Sequence, residues 1–160
     1  MANDEEIGFP GGRADERELF LAWLGFLRTA VIRKTAGLSD AEARWRPDGH
    51  LISLLGIVSH LTGVERRWID GGFLGKPTIR DEAEFHPGDE LNLDQVCAEY
   101  RQRAAETDAF VRAARTLALP CQLEEGTDLR WVLLHLINET ARHAGHADAV
   151  RELLDGTTGE

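Results

Sequence analysis

Only two cysteines, Cys97 and Cys121, occur in the 160 residues, and neither belongs to a C-x-x-C spacing. A disulfide framework is therefore not expected, and both read as small buried apolar side chains or surface thiols. Basic residues are also in short supply. There are 18 against 28 acidic ones, for a formal charge of -10. That balance argues against nucleic acid or an anionic membrane surface as a partner, while leaving room for a local basic pocket. No apolar run approaches the roughly 18 residues a membrane span requires. The acidic N-terminus, Met1 to Glu6, lacks the apolar stretch of a signal peptide, so the expected location is cytoplasmic. No strand-like alternation, internal repeat or low-complexity tract interrupts the chain.

Helical periodicity is what remains. A polar stretch over residues 1–13, with Pro10-Gly11-Gly12, predicts a disordered tail. Residues 14–160 then read as one domain, long enough to bury a core unaided. A first long helix is expected over Ala14 to Thr35, its core stripe Leu19, Phe20, Trp23, Phe26, Leu27, Ala30 and Val31. Ser39-Asp-Ala-Glu42 has the form of a capping box and predicts a short helix ending before Pro47, with Trp45 closing one end of the core. A second long helix covers Leu51 to Asp70. A third runs from Leu93 to Thr116, capped by Asn92 or Asp94. A fourth runs from Thr127-Asp128 to Leu154, with Gly156 past its end. Residues 71–92 hold Gly75, Pro77, Pro87 and Gly88 without a sustained period. A connection that long is unusual in a bundle and suits a lid, a rim or an interface; His86 within it reads as a solvated side chain. The whole is an all-α four-helix bundle, a fold that builds metal sites from facing helices.

The chemistry gathers on the fourth helix. Glu139, His143 and His146 recur at four and three residues, so they project from one side, beside or within the apolar stripe. A carboxylate and two imidazoles suit a divalent transition metal. A facing helix would have to complete the set, and His60 on the second helix is the candidate. Gly56 and Gly63 fall beside His60 in helical projection. Each glycine weakens the helix by up to about 1 kcal/mol against alanine, which either makes room for a metal, water or substrate or permits close helix packing. His135, one turn before Glu139, belongs at the rim. Without a metal, Glu139 would need Arg142 or His143 as its partner, and the cluster would be a buried polar network.

Two runs carry a family resemblance. Leu54-Leu-Gly-Ile-Val-Ser-His60-Leu-Thr-Gly-Val-Glu65-Arg-Arg-Trp68 resembles the helix-2 signature of the DinB/YfiT-like superfamily, and Trp131 to Asp148 resembles its helix-4 signature. Gly37 to Pro47 also fits, so the resemblance covers nearly everything from residue 14 onward. It is nearest to the branch of mycothiol-dependent S-transferases. The resemblance implies a metal-binding bundle, with an up-up-down-down helix order suggested and homodimers common. It places the metal triad on His60, Glu139 and His143. Glu139 departs from the commoner histidine, as in the related maleylpyruvate isomerases, and His146 replaces a glutamine and becomes an alternative or supplementary ligand.

The implied activity is a metal-dependent thiol S-transferase. A divalent metal, zinc first and then nickel, manganese or iron, would activate a low-molecular-weight thiol for attack on a small electrophile. Arg67 and Arg142 are the expected substrate-binding residues. The rival readings are another metal enzyme, an isomerase or an Fe(II) oxygenase, and a non-catalytic metal-binding dimer.

Overall fold

The computed structural model describes residues 8–159. Within them, each helix begins where a side chain can cap it. Asp15 accepts from the amides of Arg17 and Glu18 and opens α1 (Glu16–Arg33). Ser39 and Glu42 make both arms of the capping box at the head of α2 (Asp40–Ala43), at 3.3 and 2.8 Å. Ser53 accepts from the Gly56 amide and starts α3 (Leu54–Arg66). Asn92 and Gln95 form a second capping box on α4 (Leu93–Ala113), and Asp128 caps α5 (Leu129–Asp155). Such caps satisfy amides that the helix itself leaves without a partner. Gly156, at φ 77°, ends α5 in the left-handed region where a glycine fits without strain. All four expected long helices are present, with ends within about a turn of the expected ones. Residues Arg67–Gly71 continue α3 as one wider turn of π type.

Ion pairs fix the helix directions. Glu16 meets Arg130 at one end of the bundle and Lys34 meets Asp148 at the other, so α1 and α5 run parallel. Glu18 pairs with Arg112, and Thr35 lies against Cys97, so α1 and α4 are antiparallel. Leu54, Leu55 and Val58 of α3 share a core cluster with Val31 at the end of α1 and Leu93 and Val96 at the start of α4. In chain order the long helices therefore run up, down, down, up, and the parallel neighbours are α1/α5 and α3/α4. The up-up-down-down order that the resemblance suggested places the long return too early. Residues 34–53 fold into α2 and the 3-10 turn Pro47–Gly49 at one end, whereas 72–92 return along the bundle.

The core has two apolar halves with a polar layer between them. One half holds Val31, Leu55, Leu61, Val96, Tyr100 and Val150; the other holds Leu24, Val64, Ile69, Val111, Leu133 and Leu136. Each fully buried leucine or valine here contributes on the order of 1.5–3 kcal/mol. Between the halves lie Arg28, His60, Glu65, Thr107, Thr140 and His143, all buried.

Two expectations are corrected. The buried side of α1 is Leu21, Leu24, Arg28 and Val31, while most of the expected stripe is half-buried. This helix is apolar on nearly every side, so a three-and-four spacing fits more than one face. Trp45 does not close the core: it is 37% exposed, and Ala43 takes the buried place. Of the expected tail, residues 1–7 lie outside the described residues. Phe9 rests on the rings of Trp23 and Phe26, at centroid distances of 6.0 and 5.3 Å.

Candidate metal centre

α3 and α5 pack side by side and bring His60 to the face that carries Glu139 and His143. One donor atom from each of the three lies within 4.8 Å of the other two. Glu139 Oε2 is 3.8 Å from His143 Nε2, and the His60 and His143 rings stand edge to face at 4.8 Å. Donors bound at 2.0–2.2 Å to one tetrahedral ion lie about 3.3–3.6 Å apart, so a small closure would suit them to a common metal. Both imidazoles are buried, and Glu139 is partly exposed.

Electrostatics favour the form that ligates. Burial, then the neighbouring His60, pushes the His143 pKa down to about 4, against a smaller upward pull from Glu139. Burial also lowers that of His60, with Glu84 pulling the other way. Both rings are thus neutral near pH 7, and a metal takes the neutral imidazole without first displacing a proton. Apart from Glu84 on His60 Nδ1, other described residues leave the cluster without close partners. His143 Nδ1 is buried with no hydrogen-bond partner among the described residues. Glu139 has Arg142 no nearer than 3.9 Å, on a guanidinium that is 61% exposed. A two-imidazole, one-carboxylate donor set left in this condition fits a divalent transition ion.

A cavity of about 300 Å³ opens beside the cluster. His60 and Glu139 form one wall, with Val64 and Leu123 as apolar lining. Arg67, Arg80, Trp68 and His135 complete it. His135 lines the cavity outside the ligand cluster and packs on the rings of Trp68 and Trp131 at 4.7 and 5.3 Å. Arg67 lines the cavity; Arg142 points to solvent and does not.

His146 stands apart from the cluster. It is exposed, its ring 5.3 Å from that of His143. The expectation that it faces inward fails on angle. The buried side of α5 centres near Leu136 and Ala147, and at about 100° per residue His146 lies some 80–90° round from that centre.

The connection after α3 supplies what sequence reasoning missed. Asp81 caps the 3-10 turn Glu82–Phe85, which packs on α3. Glu84 Oε1 is 3.2 Å from His60 Nδ1, and its other oxygen accepts from Arg67. Phe85 stacks on the His60 ring at 4.3 Å. The two α3 glycines make this approach feasible. A Cβ on Gly63 would overlap the Glu84 carboxylate, and one on Gly56 would overlap the Phe85 carbonyl oxygen. The room they leave is filled by the returning chain, not by a ligand or a neighbouring long helix. They were the available signal, because two glycines beside one histidine mark a close approach.

No curated protein matches the chain significantly in sequence. A crystal structure of a conserved protein from Enterococcus faecalis superposes with a TM-score of 0.72 at 16% identity, covering 91% of this chain and 100% of that one. At that identity the likeness establishes the fold, the all-α helical bundle that the periodicity predicted. The family model described as mycothiol S-transferase matches residues 19–156, from the first turn of α1 to the end of α5. By that match across nearly its whole length, the chain belongs to the mycothiol S-transferase family.

Proposed function

We propose that the protein is a metal-dependent S-transferase that joins a low-molecular-weight thiol of the mycothiol type to a small electrophile. The observation that carries this reading is the convergence of His60, Glu139 and His143 beside a cavity that His60 and Glu139 line, in a chain of this family. His60, Glu139 and His143 would hold the ion, with zinc the first choice for two nitrogens and a carboxylate. Nickel, manganese or iron would suit the same donors. Bound there, a divalent metal supplies the charge that keeps a thiol sulfur in its nucleophilic thiolate form.

The chain's own residues do the rest. Three protein donors leave coordination positions open toward the cavity. Val64, Leu123 and Trp68 give the cavity an apolar lining beside these donors. Arg67 and Arg80 offer guanidinium groups to an anionic part of either substrate. Arg142 is left out of that role by its exposure on the solvent side. A homodimer is consistent with the family resemblance.

The test is thiol conjugation by purified protein, using mycothiol and a chromogenic electrophile. We expect turnover that chelation abolishes and added zinc restores, and that His143→Ala lacks. Turnover indifferent to chelator and to His143→Ala would sink the metal-dependent reading.

A further inference from the structure

We infer that Glu84 is a positioning residue of the candidate centre, which fixes His60 in the tautomer that presents Nε2 as a donor. The inference rests on the metal reading above, but its first test does not depend on a metal.

Four observations meet at this side chain. Its Oε1 is 3.2 Å from His60 Nδ1, and its Oε2 accepts from Arg67. Both the Glu84 and Arg67 side chains are largely shielded, at 13 and 14% exposure. Phe85, the next residue, stacks on the His60 ring and limits its rotation. Gly63 is bare where the carboxylate lies. A carboxylate held by a guanidinium accepts hydrogen bonds and gives none, so the proton of neutral His60 sits on Nδ1. Nε2 is then the nitrogen with a free lone pair. The partner of the non-ligating nitrogen sets the orientation and basicity of a metal-binding histidine, and removing it typically weakens binding about 10–100-fold. The same carboxylate ties Arg67, a cavity residue, to His60, so the anion-binding and metal-binding sides move as one unit. His143 differs here, because its Nδ1 has no such partner among the described residues.

Gly63→Ala offers a clean perturbation. The new methyl would collide with the mobile end of the Glu84 side chain, so Glu84 can swing away, while alanine favours the helix more than glycine does. Reduced metal binding in this variant would therefore not reflect a weakened α3.

The experiment records nitrogen-edited spectra of the histidine rings in the metal-free full chain at neutral pH. It also measures zinc affinity by competition with a chromophoric chelator. Native protein is expected to show His60 as the Nδ1–H tautomer. Glu84→Ala and Gly63→Ala should shift it toward Nε2–H or a mixture and weaken zinc about 10–100-fold. Glu84→Gln, which still offers an acceptor oxygen, should keep the tautomer. An Nε2–H tautomer in the native protein overturns the inference. So does an unchanged tautomer in both alanine variants. If native protein takes up no zinc, the metal reading falls, and the tautomer comparison still decides what Glu84 does.

Discussion

The polar layer that divides the core contains two kinds of buried cluster. On one side Arg28 of α1 reaches across to Glu65 of α3 with two bonds of 2.7 and 2.8 Å, and to Asp108 of α4 at 2.8 Å. Burial opposes the Arg28 charge, but Glu65 and then Asp108 more than offset it and raise its pKa. On the other side His60, Glu139 and His143 face one another with no ion pair among the three closer than 3.8 Å, and burial lowers the pKa of both imidazoles. The first cluster gives its buried guanidinium carboxylate partners on two other helices and so ties three helices together. The second leaves donor atoms converging beside a cavity. Burial and polarity alone do not mark a functional site; what separates the two is whether the protein supplies the last partner.

That contrast can be broken from either side. The largest effect is expected from His143→Ala, which should lower zinc affinity by well over about 100-fold, since a ligand counts for more than its supporting partner. Metal content per chain after gel filtration would show it. The protection that saturating zinc gives the native fold against heat, about 2.7 kcal/mol at 100 times Kd, should vanish with it. Glu65→Ala should do the opposite. It strands Arg28 with Asp108 alone and is expected to cost about 3–5 kcal/mol in urea unfolding, with metal uptake retained by the folded fraction. Uptake lost together with stability would mean that the two clusters act as one.

The pH response should be smaller and one-sided. His143 and His60 have folded pKa values below their unfolded value near 6.5, so the unfolded chain binds protons first as the pH drops. Their contribution is intact above about pH 6.5 and is lost progressively down to about pH 4, where His143 itself protonates. Melting temperatures of the metal-free protein across that window should fall, and fall less in His143→Gln. The smallest effects belong to His146→Ala and Arg142→Ala, both at exposed positions. Each should change zinc affinity by no more than about twofold. A tenfold loss for His146→Ala would bring that residue back among the ligands.

Much of this was legible in the residues, for physical reasons. Capping is a local interaction, so Ser39 with Glu42, Asn92, Asp128 and Gly156 announce their helices within a few positions. Glu139 and His143 are one helical turn apart, and a fixed repeat brings them together in any bundle. His60 needed the two glycines and the family resemblance to single it out. The Arg28–Glu65 pair was hidden, because charges 37 residues apart look like ordinary solvated positions on two separate helices. Glu84 and Arg80 were hidden because they lie where no period constrains the backbone. His146 was misplaced because three residues of spacing keep a side chain near a face without securing its burial.

Two parallel neighbours, α3 and α4, oblige the chain to travel back along the bundle between them. That obligatory return carries Arg80, Glu84 and Phe85 to the cavity, while the helices carry His60, Glu139 and His143. Residues 72–92 are thus a separate layer laid on the helical frame. Phe73 and Leu91 anchor its two ends on the two halves of the core, and changes between those anchors would alter what enters the cavity and how firmly His60 is braced. The shape and charge of the cavity mouth can therefore change while the helices stay as they are.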